Sequence, residues 1–174
     1  MTNKLSKSDF NKIYNIMQNS FPKTECRTFD EQEKLLSNEN YKITYLKEDN
    51  KITCFIAYWE FDSFIFIEHF AVAPEKRNCG IGSDFLKTFL SLCYKKVVLE
   101  VELPLDDIAR RRIDFYQKIG FIKNNYPYIQ PSMRKDALPV PLEIMSYNSA
   151  LEKNEFHYIK DTLYTSVYNA KDVF

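Results

Sequence analysis

The sequence predicts a mixed α/β (α+β) fold: a mostly antiparallel sheet with helices on both faces, in which strands 63–72 and 95–104 are parallel central neighbours. Three observations predict it. First, YKITYLK (41–47), KITCFIAYWEF (51–61) and SFIFIEHFAV (63–72) are rich in β-branched and aromatic residues and are separated by short polar breaks, the pattern of consecutive antiparallel strands. Second, residues 80–93 change to helical spacing and lead into KKVVLEVELP (95–104); a helix crossing between two strands makes them parallel. Third, both ends of the chain carry apolar residues at the helical period.

The elements follow in order. SDFNKIYNIMQN (8–19) places Phe10, Ile13, Ile16 and Met17 on one helical face, with Ser8 or Asp9 as cap and Pro22 beyond its end. TFDEQEKLLS (28–37) has Thr28 with Glu31 three residues on, a capping-box pattern, and Leu35 and Leu36 for an apolar face. The break at 48–50, EDN, suits a hairpin between the first two strands. In the crossover helix the apolar positions are Ile81, Phe85, Leu86, Phe89 and Leu90. DDIARRRIDFYQKIGF (106–121) is a helix capped by Asp106 or Asp107 and closed by Gly120, with Ile108, Ile113, Phe115, Tyr116 and Ile119 apolar. A short strand around 121–123, a Pro-rich stretch, a strand at 141–147 and an amphipathic helix at about 151–168 complete the chain.

At 174 residues the expectation is a single domain, residues 1–174. Lys+Arg and Asp+Glu both number 24. A zero formal net charge argues against a nucleic-acid partner, which a basic excess would announce. The chain has no apolar run long enough for a membrane span and no apolar signal core near Met1, so a cytoplasmic protein without a membrane partner is expected. Cys26, Cys54, Cys79 and Cys93 form no CxxC pair, and His69 and His157 lie far apart, so no metal is expected.

Only three glycines occur, and Gly80 and Gly82 share the window RNCGIG between a strand and a helix. Glycines there leave first-turn amides bare, where the helix dipole favours an anion, and Arg77 adds a cationic donor. The alternative is a tight loop that needs glycine for geometry alone. A P-loop is excluded because no Lys follows Gly82. A dinucleotide fingerprint would use Gly80 and Gly82 with Glu100 as the ribose partner, but its third glycine position is Phe85.

The third pattern, [Q/R]-x-x-G-x-[G/A], is matched by Arg77, Gly80 and Gly82. Here AVAPEKRNCGIGSDFL resembles the strand–loop–helix of the GNAT superfamily of acyl-CoA-dependent N-acyltransferases, and RRIDFYQKIGF (111–121) resembles its second signature. The resemblance implies a GNAT-like fold and an N-acetyltransferase that moves an acetyl group from acetyl-CoA directly to a primary amine of a small molecule, peptide or protein. It implies that Arg77, Asn78, Cys79, Gly80, Ile81, Gly82 and Ser83 hold the diphosphate, and that the backbone of Phe70, Ala71 and Val72 holds the pantetheine arm and supplies an oxyanion donor. Tyr116 matches the residue that acts as general acid. An asparagine common in the family seven residues before that tyrosine is replaced by Ala109. Glu68, a carboxylate in an apolar strand whose burial would raise its pKa, is the expected general base, with Glu100 or Glu102 as alternatives. His69 is placed on the opposite strand face. The protein is expected to be a monomer or homodimer. The competing readings are a non-catalytic acyl-CoA-binding or interaction module of the same fold and a dinucleotide-binding protein.

Overall fold

The computed structural model of the chain describes residues 5–134 and 138–170. The fold class is the mixed α/β one expected, with six strands among the described residues. The chain forms two compact units that divide between Lys95 and Lys96.

In the first unit, α1 (Lys7–Ser20) and α2 (Phe29–Leu35) precede β1 (Tyr41–Glu48), β2 (Lys51–Glu60) and β3 (Phe64–Val72), and α3 (Ile81–Ser91) follows. The strands pair antiparallel in the order β1-β2-β3. The β1–β2 turn is made by Asp49 and Asn50, both at positive φ. Two residues in that conformation suit the twist of a two-residue hairpin loop, and Asp and Asn tolerate it best after glycine. Helix α1 packs on β2 and β3 and buries Phe10, Ile13, Ile16 and Met17. Each such side chain contributes about 1.5–3 kcal/mol by leaving water. Its cap is Ser6, whose side chain accepts from the Asp9 amide; the expected caps lie inside the first turn.

Thr28 caps α2 through the expected capping box with Glu31. The apolar face is not the expected one. Leu36 is exposed, and α2 buries the amide side chain of Gln32, which donates to the Tyr41 hydroxyl at 2.5 Å.

Strand β3 departs from regular pairing at one place. Ala57 faces His69 and Tyr58 faces Ile67, so Glu68 falls between paired residues as a bulge. A bulge inserts one extra residue and re-aims the side chains around it.

The second unit holds β4 (Lys96–Glu102), α4 (Asp107–Ile119), β5 (Phe121–Gln130), β6 (Val140–Tyr147) and α5 (Lys153–Thr162), with a π-helical turn at Leu163–Val167. Its strands pair antiparallel in the order β4-β6-β5. Asp106 caps α4, and Gly120 ends it at φ +117. Ile108, expected to be apolar core, is 67% exposed, and Ala109 is buried in its place. Strand β5 runs well past the three residues expected, because its register shift between Asn124 and Tyr128 accommodates Pro127. A bulge needs no ladder donor at that position, and proline has none to give.

Candidate functional site

The 73–83 segment leaves β3 through Ala73, makes a single 3-10 turn at Pro74–Lys76, and enters α3 at Gly80. Asn78 at φ +62 and Gly80 at φ +81 are both left-handed. Among the described residues, none of the amides of Asn78, Cys79, Gly80, Ile81, Gly82 or Ser83 donates to another group; the first helical bond is Asp84 N–H to the Gly80 carbonyl at 3.1 Å.

The two glycines of this window have different causes. A Cβ on Gly80 would meet nothing within 4 Å. Its glycine is set by φ, and open space lies in front of it. A Cβ on Gly82 would fall 2.7 Å from Val72 Cγ2 and 3.4 Å from Phe70 Cζ. Its glycine lets α3 seat directly on the end of β3, so loop geometry and the anion-ready amides are two aspects of one arrangement.

Arg77 is tied down at the same place. Its Nε donates to the Val72 carbonyl at 3.1 Å and its Nη2 to Ser20 Oγ at 3.2 Å, with the side chain exposed. Cys79 is exposed, and its thiol donates to the Arg77 carbonyl at 3.4 Å. The residues expected to hold a diphosphate therefore lie together, with Phe70 and Val72 directly beneath Gly82.

Glu68 and His69 differ from expectation. The bulge cancels the alternation of the strand, so the two side chains lie on the same side, with His69 Nδ1 3.6 Å from Glu68 Oε2. Glu68 is 0% exposed at its side chain and accepts from Arg27 Nη1 at 2.7 Å. His69 Nε2 bonds the Glu25 carbonyl at 2.8 Å, and Phe21 sits edge-on to its ring at 4.8 Å. The expected rise in the Glu68 pKa is reversed. Burial alone would raise it, but the Arg27 guanidinium and His69 stabilise the carboxylate and bring it to about 2. For His69, burial alone would lower the value, but Cys26 and Glu68 raise it to about 10. Arg27 is the residue that sequence reasoning missed. It lies 41 positions from Glu68, and its sole trace in the sequence is a carboxylate within an apolar strand, which must find a partner somewhere.

In the second unit, Tyr116 lies on the buried face of α4, with its ring 5.3 Å from Phe115 and 5.6 Å from Phe121. Glu102 pairs with Arg112. Glu100 accepts from the hydroxyl of Tyr128, from Gln130 Nε2 at 2.6 Å and from the Tyr168 hydroxyl at 2.7 Å. Trp59 and Tyr128 are core residues. Among the described residues no cluster of three or more His, Cys, Asp or Glu side chains could hold a metal ion, and no helix is long and apolar enough to cross a membrane.

The bulged strand β3 that runs to a glycine-opened helix N-terminus, and the tyrosine helix ended by Gly120, are the two stretches that carried the family resemblance in the sequence. The chain belongs to the acetyltransferase (GNAT) family, whose model matches residues 10–121. It is 30% identical to a GNAT-family protein of Bacteroides thetaiotaomicron, whose structure superposes with a TM-score of 0.89 over 97% of this chain and 98% of that one. It is 31% identical over 111 residues to YjbC of Bacillus subtilis (strain 168), a protein that carries an acetyltransferase name. That match covers 62% of this chain and 55% of YjbC, so the chain spans about half the length of that curated relative. A GNAT acetyltransferase of Elizabethkingia anophelis, solved with acetyl-CoA bound, shares the fold at 20% identity and a TM-score of 0.51, over 69% of this chain and 82% of that one.

Proposed function

We propose that the chain is an N-acetyltransferase that moves the acetyl group of acetyl-CoA directly onto a primary amine of a small molecule, peptide or protein. The observation that carries the reading is the row of amides from Asn78 to Ser83, without acceptors among the described residues, with open space where a Gly80 Cβ would stand. Bare amides at a helix N-terminus suit a diphosphate, and the Elizabethkingia relative holds acetyl-CoA.

Acetyl-CoA, when bound, supplies an activated thioester carbonyl. The chain's own residues do the rest. The Asn78–Ser83 amides and Arg77 hold the diphosphate, and the backbone of Phe70, Ala71 and Val72 aligns the pantetheine arm. An amide of Phe70 or Val72 stabilises the oxyanion that forms as the amine attacks the carbonyl carbon; one such donor is worth about 2.7–4 kcal/mol of barrier. Tyr116 gives its hydroxyl proton to the departing thiolate sulfur. The amine proton must go to a base, for which Glu68 is the expectation from sequence. An ion-paired carboxylate with a pKa of about 2 is a poor proton acceptor.

The test is a thermal-shift titration with acetyl-CoA followed by thiol release over a panel of amines. Stabilisation and turnover support the reading. Stabilisation with no turnover on any amine replaces it with a binding module, and stabilisation by NAD instead revives the dinucleotide reading.

A further inference from the structure

We infer that Glu68 and Arg27 are positioning residues rather than an acid–base pair: together they lock the bulge of β3 to the loop between α1 and α2, and so set the strand end that carries Phe70–Val72. This rests on the acetyl-CoA reading above.

Four observations within the first unit support it. The bulge is one residue, and that residue is Glu68. Its carboxylate meets Arg27, on the loop just before α2, at 2.7 Å, with both side chains almost wholly out of solvent. The next residue, His69, bonds the Glu25 carbonyl of the same loop at 2.8 Å. That loop is held in turn by α1, where the Tyr14 hydroxyl donates to the Arg27 carbonyl at 3.0 Å. Two consecutive residues of the bulge are thus tied to two residues of one loop. Beyond them, Phe70, Ala71 and Val72 return to regular pairing with Ile56, Phe55 and Cys54.

The direction in which this strand end points is fixed at the bulge, since a bulge bends and twists the strand that bears it. Val72 and Phe70 are also the side chains against which Gly82 seats. Movement of the bulge would displace the pantetheine-binding backbone and the diphosphate loop together. A base would need an open path to the acceptor; the Glu68 side chain has no exposed surface. One of its oxygens is engaged by the guanidinium and the other faces His69.

The experiment measures acetyl-CoA dissociation constants for the full chain, its Glu68→Gln, Arg27→Met and Arg27→Lys variants and the double variant Arg27→Met/Glu68→Met, with circular dichroism and melting on each. It adds pH profiles of kcat with any amine that the wild type turns over. Glu68→Gln keeps an acceptor for Arg27, so binding and kcat stay within about threefold and the acid limb of the profile stays in place. Arg27→Met loosens acetyl-CoA at least tenfold at temperatures where it is folded. Arg27→Lys, which keeps the charge but loses the planar fork, gives an intermediate value and decides the matter if Arg27→Met does not fold. The double variant does not recover tight binding even where it recovers melting temperature. A kcat loss of a hundredfold or more in Glu68→Gln, with unchanged acetyl-CoA binding, makes Glu68 the base and overturns the inference. Unchanged binding in folded Arg27→Met, or in Arg27→Lys should Arg27→Met not fold, reduces the pair to stability alone and also overturns it. Failure of the wild type to bind acetyl-CoA defeats the functional reading itself, a result distinct from either.

Discussion

At the residue scale, the window RNCGIG separates two uses of glycine. Gly80 sits at φ +81 with nothing in front of it. An alanine there pays about 1–2 kcal/mol for the left-handed conformation, so Gly80→Ala is expected to lower stability by that amount in a urea titration. Gly82→Ala acts by collision, with Val72 Cγ2 at 2.7 Å. Overpacking of this kind costs about 1–3 kcal/mol, and relief by moving α3 off β3 disturbs the proposed acetyl-CoA site. Gly82→Ala is therefore expected to loosen acetyl-CoA by more than Gly80→Ala does, which calorimetric titration of the two variants checks. Tyr116→Phe keeps the ring contacts to Phe115 and Phe121. If its hydroxyl is the general acid, kcat falls by about 10²–10⁴ with little change in melting temperature. Unchanged turnover removes the assignment.

At the element scale, the β3 bulge and its buried charges govern how stability depends on pH. The Glu68 pKa falls from 4.5 to about 2 on folding, so its contribution is complete above 4.5 and is lost as pH falls toward 2. The His69 pKa rises from 6.5 to about 10, so its contribution is complete below 6.5 and is lost as pH rises toward 10. The chain is expected to resist urea best between about pH 4.5 and 6.5; Glu68→Gln is expected to remove the acid limb, since it removes the carboxylate that titrates there, and to shrink the alkaline limb, since it removes one of the two groups that raise the His69 pKa. Removing Arg27 alone strands a buried charge, at a cost of about 3–5 kcal/mol.

A half-buried carboxylate organises the other unit by a different chemistry. Glu100 takes hydrogen bonds from Tyr128, Gln130 and Tyr168, all three buried. The π-helical turn at Leu163–Val167 leads directly into Tyr168. Each donor left unpaired costs about 1–3 kcal/mol. Glu100→Ala is thus expected to lose at least about 3 kcal/mol by chemical denaturation, whereas Glu100→Gln, which keeps an acceptor, loses much less.

At the scale of the whole molecule, what was legible followed from local causes. Hydrophobic period marked the helices and strands, Thr28 and Asp106 marked helix starts, and Gly80, Gly82 and Gly120 marked the two signatures that place the chain in its family. What was not legible depends on distance. Nothing near Glu68 announces Arg27, and strict alternation puts His69 on the wrong side because a bulge leaves no mark in a run such as FIFIEHFAV. The buried face of α2 was misplaced because Gln32, whose amide donates to the Tyr41 hydroxyl, takes the buried position while Leu36 faces solvent. Proline inside β5 read as a break because the register shift that tolerates it arises from pairing with β6.

The claim that joins these scales is that the Asn78–Ser83 amides, seated on the end of β3 by Gly82, receive acetyl-CoA. Calorimetric titration of acetyl-CoA into the wild type and Gly82→Ala chains tests it most directly. The account predicts saturable binding at one site per chain in the wild type and at least tenfold weaker binding in a folded Gly82→Ala. Absence of saturable binding in the wild type, or equal binding in the two chains, would contradict it.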